Sequence, residues 1–596
     1  MKNYMTKLNS IKKYTLPFLF LLMTFVMIPR EAYYKKGNID VVATTTEGTW
    51  NGYLYLIHPL GYKMEDPLRN ISGEKVLSKN IKNTVLDRYI YYINSSVGEI
   101  SELRFSSGNK SIIISKEVGQ KYFEIPWKDI KKIYTVNLIN IFIYFGVIIS
   151  LLWYYFKKGL EINLKNIGIF SLALVFLSIS LNLKWQSKVN GIFLSLTVLK
   201  MCLDRKKIRF GYLEIIGVIL LLLSLLSEHL NFFNYEKTYI YFQNTILMII
   251  AMKIWRFGYE DKKILKNYFK ISLIVLSMLD VMSPLVMGGG YAFTYGVLMT
   301  ILIADSTEEI LFNNKDRYRL LINILVLPLG FYGLIVSGRR TMIVAIALYY
   351  GYLFLKLLRK KSKKTILSLI LGVFFIFGVA NIVFKNEKQK VKELVLSITN
   401  IKTNQSNIQR LLIWRRGYYI GKENPILGIG VDSFYNEAIK EKYSDIKNSR
   451  ENFLPEFIHV HNEYIHQVIS RGVPGAVLFY GLWIYMLNRL IKSKDKDFDI
   501  MLLIIYGIYG IFDPYSIRAE GIIFYSFIGI SFINSLPMDG IKNKYLEKLG
   551  FISMIALFLI ALYFNKRFRY YFLIFLVMYL GYYFYNKRKR EKYEKI

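Results

Sequence analysis

The sequence predicts an all-α polytopic integral membrane protein of about 16 transmembrane helices, with a small β-rich domain near its N-terminus. Two observations carry this prediction. Apolar runs of about 20 residues, each long enough to cross a bilayer, recur along the chain. The composition agrees, because 53% of the 596 residues are hydrophobic and the mean hydropathy is +0.29. A membrane β-barrel would instead show alternating segments of about ten residues.

The N-terminal region is predicted to begin with a cytoplasmic tail and a membrane anchor, residues 1–30. Its first residues are rich in lysine and lack acids, and the apolar run Tyr14–Ile28 follows. Because no small-residue cleavage site follows that run, we expect an uncleaved anchor. Residues 31–136 contain short alternating stretches such as GYLYLI and KSIIIS. These stretches predict strands, and therefore a β-rich domain outside the membrane.

Two transmembrane regions, residues 137–384 and 475–596, flank a polar interval at 385–474, which is predicted to be a large extracytoplasmic loop. In the first region the apolar runs predict spans at about 137–155, 167–183, 188–202, 211–227, 239–254, 270–287, 290–304, 318–336, 341–358 and 365–384. In the second region they predict spans at about 475–490, 500–512, 519–536, 548–564 and 570–585.

Basic loops orient these spans. An alternating path places almost all lysine-rich loops and the tail NKRKREKYEK on one side, which predicts that both termini are cytoplasmic. The segment NKRFR at 565–569 is the exception. The same path places residues 31–136 and 385–474 outside. The net charge of +36 is therefore attributed to orientation and to anionic lipids or substrates, and not to nucleic acid.

Two other features are predicted to carry no chemistry. The single cysteine, Cys202, excludes an internal disulfide and a cysteine-based metal cluster, and we expect it to be buried as a small apolar residue. The stretch Asp495-Lys496-Asp497 resembles an acidic pair that holds a metal. It lies in a lysine-rich cytoplasmic turn, so we interpret it as a solvated loop.

Arginines mark the first candidate site. Arg339 and Arg340 lie in the turn SGRRT between two predicted spans, on the side that the charge rule leaves poor in cations. The planar guanidinium is suited to phosphate, although snorkelling to lipid phosphates is the alternative. In a helix, Arg410 and Trp414 share one face, and Arg415 follows them. This arrangement suits an interfacial helix that binds a diphosphate, or a simple interfacial anchor.

Histidines mark the second candidate site. His459, His461 and His466 are three of only five histidines in the chain. His461 and Asn462 open a predicted short helix. A neutral imidazole is a fitting general base near neutral pH, so His461 is the candidate base. A structural histidine and a metal site remain the alternatives for His461.

The candidate sites are joined by glycine turns. Asn424-Pro425 and then Gly428 and Gly430 predict a tight turn after the arginine-containing helix. The Gly-x-Gly pattern lacks the strand–turn–helix setting of a dinucleotide site, so that interpretation is rejected. Gly472 and Gly475 are predicted to let the histidine helix turn into the next span.

In this order, the motifs resemble those of the O-antigen ligase and polymerase superfamily of bacterial membrane glycosyltransferases. The resemblance covers Leu334–Gly475. Arg340 takes the place of the family arginine in a Gly-Ser-Arg-Thr-like turn, and Arg339 replaces the usual small residue. The sequence then follows the family pattern Arg-x3-Trp, Asn-Pro-x2-Gly-x-Gly-x2-Ser-Phe, His-x-His-Asn and, nine residues later, Gly-x2-Gly.

The resemblance implies a fold related to the GT-C glycosyltransferases and a site on the outer face of the bacterial cytoplasmic membrane. It implies a glycan donor on undecaprenyl diphosphate and no metal or cofactor. The acceptor would be the lipid A core of lipopolysaccharide, another lipid-linked repeat or a protein hydroxyl. The domain at 31–136 and the extra C-terminal helices depart from the family layout, and the domain could bind the acceptor or a partner enzyme.

The mechanism expected from this resemblance gives each candidate a role. Arg340 and Arg410, helped by Arg339 or Arg415, bind the donor diphosphate, and His461 takes a proton from the acceptor hydroxyl. The supporting residues are Asn462, Trp414, Gly428, Gly430, Gly472 and Gly475.

Several functions remain open at this stage. A ligase is the first interpretation, followed by a polymerase of O-antigen, capsule or exopolysaccharide, and then a protein glycosyltransferase. A transporter or flippase of lipid-linked glycans is the interpretation from a different class. It would predict charges buried in mid-helix positions and inverted repeats, neither of which is evident in the sequence.

Overall fold

A computed structural model of the chain describes most of the predicted helices and strands. It describes residues 2–27, 37–45, 49–57, 63–72, 76–84, 88–97, 100–115, 122–125, 131–133, 136–157, 159–181, 183–204, 208–231, 235–282, 291–312, 316–359, 405–431, 433–434, 437, 459–491, 493, 496–536, 544–564, 569–574 and 576–577. Within these residues the chain is mostly helical.

The strands lie in the interval where the sequence predicts them. They are β1 (Gly37–Thr45), β2 (Thr49–Ile57), β3 (Lys63–Ser72), β4 (Val76–Thr84), β5 (Arg88–Val97), β6 (Ile100–Ser107), β7 (Lys110–Ser115) and β8 (Tyr122–Ile125). They form two 4-stranded sheets with the orders β4-β1-β6-β7 and β3-β2-β5-β8, in which all pairs are antiparallel. On β6, Phe105 is buried and Arg104 is exposed, as expected for a sheet with one covered face.

Most of the helices lie in the predicted transmembrane regions, but one helix (Gln405–Glu423) and the first turns of another (Glu463–Leu490) lie in the predicted loop 385–474. They are α1 (Lys2–Met27), α2 (Leu138–Phe156), α3 (Leu164–Leu181), α4 (Leu183–Leu203), α5 (Tyr212–Asn231), α6 (Tyr235–Asn244), α7 (Ile246–Trp255), α8 (Tyr259–Met282), α9 (Tyr291–Phe312), α10 (Arg317–Val336), α11 (Arg340–Arg359), α12 (Gln405–Glu423), α13 (Glu463–Leu490), α14 (Lys496–Phe512), α15 (Glu520–Ser535) and α16 (Lys544–Phe564). Almost every residue of α7 and α15 is buried, so these helices lie at the centre of the bundle.

Length and composition support a polytopic membrane protein. Among the described residues, 7 helices are long and apolar enough to cross a membrane, namely α2, α3, α5, α10, α11, α13 and α16. Shorter apolar helices are the Lys13–Met27 part of α1, α7 and α15. The count of about 16 spans stays a prediction. The predicted span 365–384, most of 570–585 and most of the NKRFR segment lie outside the described residues.

One predicted span is broken in two. The run at 239–254 forms α6 and α7, and the backbone between them leaves the helical region at Thr245 (φ −115°, ψ −93°). The Thr245 hydroxyl donates to the carbonyl of Tyr241 at 3.0 Å, and Asn244 donates to a carbonyl outside its helix. Side chains of this kind compete with helical hydrogen bonding, which apolarity alone does not reveal.

Another predicted boundary is wrong because buried charges lie inside helices. The sequence placed RFGYEDKKILKNYFK in a cytoplasmic loop, but α8 begins at Tyr259 and includes most of that stretch. Lys262 contacts Asp499 on α14 at 2.7 Å, and both side chains are only 1% exposed. Charges buried within helices were not evident in the sequence, and the structure shows such a pair.

Further pairs extend this cluster, which we call the lysine–acid network. Its members are Lys262, Lys266, Lys270, Arg319 and Lys356 with Asp305, Glu308, Glu309, Asp497 and Asp499. The network joins α8, α9, α10, α11 and α14. Asp497 belongs to it through a 2.8 Å contact with Lys356, so this residue is not only part of a solvated loop.

Cys202 corrects a smaller expectation. Its side chain is exposed in the last turn of α4, whereas the sequence analysis expected a buried residue. Nothing in the site described below involves this cysteine.

Candidate functional site

His461 lies in a short turn that leads into α13. Its backbone adopts the left-handed conformation, with φ 49°, and the only other non-glycine residue with positive φ among the described residues is Arg256. Such a conformation is sparsely populated and often occurs at functional sites. The turn is held on both sides. Trp414 Nε1 donates to the His461 carbonyl at 3.2 Å, and the Asn462 side chain accepts from Ile465 N as the cap of α13.

An aspartate faces the imidazole. Asp513 lies in the loop between α14 and α15, and its Oδ1 is 3.3 Å from His461 Nδ1. Its other oxygen contacts Arg518 Nη2 at 2.6 Å. Burial alone would raise the pKa of the Asp513 carboxyl, but the charges of Arg518 and His461 hold that pKa below its usual range. An ionised aspartate at Nδ1 favours a proton on that nitrogen and leaves Nε2 to accept another.

The arginines of the SGRRT turn lie in the same electrostatic environment. Burial lowers the pKa of Arg339 to about 10, while Asp513 opposes this shift and Arg518 and Arg410 add to it. Burial also lowers the pKa of Arg410, and the charge of Arg340 adds to that effect. Arg339 therefore interacts electrostatically with Arg410 and Arg518, and Arg410 with Arg340. Partial burial strengthens such interactions because less water screens the charges.

Helix α12 brings Arg410 and Trp414 to this end on one face. The Arg410 guanidinium lies 5.6 Å from the centre of the Phe512 ring, and the Trp414 ring is 6.2 Å from the same ring. Arg415 lies on a different face of α12, because it follows Arg410 by five residues in the helix. Its side chain is exposed, while the next residue, Arg416, is 2% exposed. The structure therefore does not bring Arg415 together with the other candidate arginines.

The predicted glycines form the turn architecture beneath the site. Gly428, Gly430 and Gly472 all have positive φ. At Gly430 a Cβ would come within 2.5 Å of the Glu228 carboxylate, and at Gly472 within 2.2 Å of the Ile426 carbonyl. α13 is kinked at Gly472, where the backbone leaves the helical region as predicted. A Cβ at Gly475 would meet the Arg471 side chain.

The broken helix pair α6–α7 also supports the site. Asn244, at the end of α6, donates from Nδ2 to the Arg518 carbonyl at 3.1 Å. This hydrogen bond links the helix break to the loop that carries Asp513. An interrupted helix that supplies a polar group to a buried site is a known device of membrane proteins.

Sequence reasoning missed Asp513, Arg518 and Asn244. A signal for the first two was present, since DPYSIRAE places several charges in a short turn between two apolar runs on the predicted outer side. That turn and the histidine turn are on the same predicted side of the membrane. No comparable signal marks Asn244, because its role depends on a helix break that the apolar run hides.

Fold and site together define a helical membrane protein with a group of partly buried arginines near a histidine–aspartate pair. Residues 324–480 match the family model described as O-antigen ligase. This match confirms the resemblance to the O-antigen ligase and polymerase superfamily and supports an enzyme of the ligase or polymerase type. The matched range includes Arg339, Arg340, Arg410 and His461, whereas Asp513 lies beyond it. A comparison with curated proteins finds no match.

Proposed function

We propose that the protein transfers a glycan from undecaprenyl diphosphate to an acceptor hydroxyl on the outer face of the bacterial cytoplasmic membrane. The observation that carries this proposal is the 3.3 Å approach of His461 Nδ1 to Asp513, next to the arginine cluster. A base beside concentrated positive charge suits a reaction in which a hydroxyl attacks and a diphosphate leaves. The basic loops support an outer position for the site and cytoplasmic termini.

The reaction is a displacement at the anomeric carbon. The acceptor oxygen forms the new glycosidic bond as its proton moves to His461 Nε2, and the bond from the anomeric carbon to the diphosphate oxygen breaks. The electron pair of that bond leaves on the diphosphate, where Arg340, Arg410 and Arg339 stabilise the charge. Direct displacement inverts the anomeric centre. Asp513 holds the imidazole and stabilises its cationic form.

The acceptor defines the particular enzyme. A ligase acting on lipid A core is our first proposal, and a polymerase that extends another lipid-linked repeat is the second. Both use the same donor and the same base. The sheets at residues 37–125 belong to the predicted extracytoplasmic domain, which is absent from the family layout and is a candidate for acceptor or partner binding.

A reconstituted assay tests this proposal. The purified protein in liposomes is supplied with an undecaprenyl diphosphate-linked glycan and, separately, with lipid A core or a second lipid-linked repeat. Mass spectrometry of the lipids then reports any new glycosidic bond. A product on lipid A core supports the ligase, and a lengthened glycan supports the polymerase. Movement of the donor across the bilayer without a new glycosidic bond would indicate a transporter and contradict the proposal of an enzyme.

A further inference from the structure

Glu463 is a buried carboxylate beside the site that takes no part in the steps above. It is the first residue of α13 and is 1% exposed. Its Oε2 accepts from Ser516 N at 3.2 Å and from Ser516 Oγ at 2.8 Å. Its Oε1 accepts from Gln467 Nε2 at 2.6 Å. Both oxygens of Glu463 therefore act as acceptors. An ionised carboxylate can accept with both oxygens, whereas an amide has one accepting oxygen and one donating NH2 group.

These hydrogen bonds join the two halves of the histidine–aspartate pair. Ser516 lies in the loop from Asp513 to Arg518. Glu463 lies two residues after His461 and directly after Asn462. The Asn462 side chain makes a second link, since Nδ2 donates to the Ile511 carbonyl at 2.9 Å just before the loop. The aspartate loop is thus tied to the start of α13 just before it begins, at Ile511, and near its middle, at Ser516.

The start of α13 is itself fixed to neighbouring helices. Gln467 Nε2 donates to the Tyr241 hydroxyl on α6 at 2.6 Å, and its Oε1 accepts from Arg471 Nη1. Arg471 Nε donates to Ser224 Oγ on α5 at 2.6 Å, and the guanidinium lies 4.0 Å from the centre of the Tyr241 ring. A fully hydrogen-bonded buried network of this kind restricts motion of the groups it holds.

We propose that Glu463 is a positioning residue that holds the Asp513 loop so that the carboxylate stays at Nδ1 of His461. This inference rests on the proposed function. Glu463 acts through Asp513 and does not touch the reacting atoms. Small displacements of a catalytic group are costly, because a shift of about 1 Å can lower a rate about 100-fold.

Glu463→Gln tests the carboxylate at constant size. The amide oxygen can accept from one side only, so its NH2 group must face either Ser516 N or Gln467 Nε2. Gln467 cannot turn its amide without losing the hydrogen bond from Arg471, so the contact with Ser516 weakens. We expect kcat for glycan transfer to fall about 10-fold to 100-fold, with the donor KM close to that of the wild type.

Tyr464→Phe is the matched control. Tyr464 is the next residue of α13, and its hydroxyl donates to the Gly507 carbonyl of α14 at 3.0 Å, well before the aspartate loop. The substitution removes one hydrogen bond between α13 and α14 without altering the Glu463 contacts. We expect transfer within about 2-fold of the wild type, since an exposed hydrogen bond contributes little.

A double variant separates positioning from general destabilisation. If Glu463 acts through Asp513, adding Glu463→Gln to Asp513→Asn lowers kcat little further. The inference would be overturned if the fold-decrease in kcat of the double variant equalled the product of the two single-variant decreases. It would also be overturned if Glu463→Gln kept the wild-type kcat. If Glu463→Gln does not fold, Ser516→Ala tests the same contact, with a smaller loss that Asp513→Asn again masks. A wild-type protein that forms no glycosidic bond would instead remove the proposed function.

Discussion

Two clusters of charged residues at opposite ends of the bundle differ in the residue types that they bring together. Helix α11 begins at Arg340 beside the candidate site, and Lys356 in its last turn belongs to the lysine–acid network. In that network each basic side chain contacts a carboxylate, and Lys262 and Asp499 are both almost fully buried. At the candidate site Arg518 contacts Asp513 at 2.6 Å. The charges of Arg339 and Arg410 also interact with Asp513, and that of Arg340 interacts with Arg410.

The difference indicates which charges are structural. Balanced pairs between helices satisfy buried charges and fix the helix arrangement, as expected where burial is costly. A concentration of arginines near a histidine suits an anionic ligand. Buried helix charges were expected to signal a transporter. Their pairing within the lysine–acid network accounts for them as helix-to-helix contacts instead.

The largest expected effect is the contrast between two arginines on the same helix, Arg410 and Arg415. Arg410 is directed at the Phe512 end of the site, whereas Arg415 is exposed. We expect Arg410→Ala to lower transfer about 100-fold to 1,000-fold, because it removes charge that stabilises the leaving diphosphate. Arg415→Ala should stay within about 2-fold of the wild type, since it changes only an exposed charge. Initial rates of transfer measure both; equal losses would end the distinction between the two arginines.

The lysine–acid network should respond in stability and not in turnover. Lys262→Met leaves the buried Asp499 without its cation, which we expect to destabilise the fold by about 3–5 kcal/mol. The double variant Lys262→Met with Asp499→Leu should recover much of that loss, because neither charge remains. Thermal melting in detergent reports the stability, and transfer per folded molecule should be unchanged. A turnover defect in the folded double variant would argue that the network is part of the catalytic machinery.

A smaller effect concerns acid stability at the site. Because the pKa of Asp513 is lower in the folded protein than in an unfolded chain, this carboxylate contributes stability that is fully present above about pH 4. That stability is lost as the pH falls through the folded pKa. The difference in melting temperature between the wild type and Asp513→Asn should therefore shrink on acidification. A difference that stays constant from about pH 7 to about pH 3 would contradict the assigned pKa direction.

The sequence predicted the parts of this molecule that depend on local pattern. Apolar runs located most helices, and the rarity of histidine together with misplaced arginines pointed to His461, Arg340 and Arg410. It could not reveal Asp513 as the partner of His461, because that pairing depends on how α13 packs against α14. Nor could local pattern show that Lys262 lies in a helix, since its charge is balanced by Asp499 from a distant segment.

The direction of individual side chains also could not be predicted from the sequence. Arg415 and Arg416 are neighbours of the same type, and only tertiary packing decides that one is exposed and the other buried. The break between α6 and α7 is similar, because Asn244 leaves its helix to bind the loop carbonyl of Arg518. Both features follow from tertiary contacts that override local preference.

The most direct test of the central claim is the transfer rate of His461→Ala, measured with donor binding in the same liposomes. A base that accepts the acceptor proton contributes about 100-fold to 10,000-fold to the rate. We therefore predict that His461→Ala loses transfer by at least about 100-fold while it binds the undecaprenyl diphosphate donor as the wild type does. Near-normal transfer by folded His461→Ala would contradict the assignment of the histidine–aspartate pair as the catalytic centre.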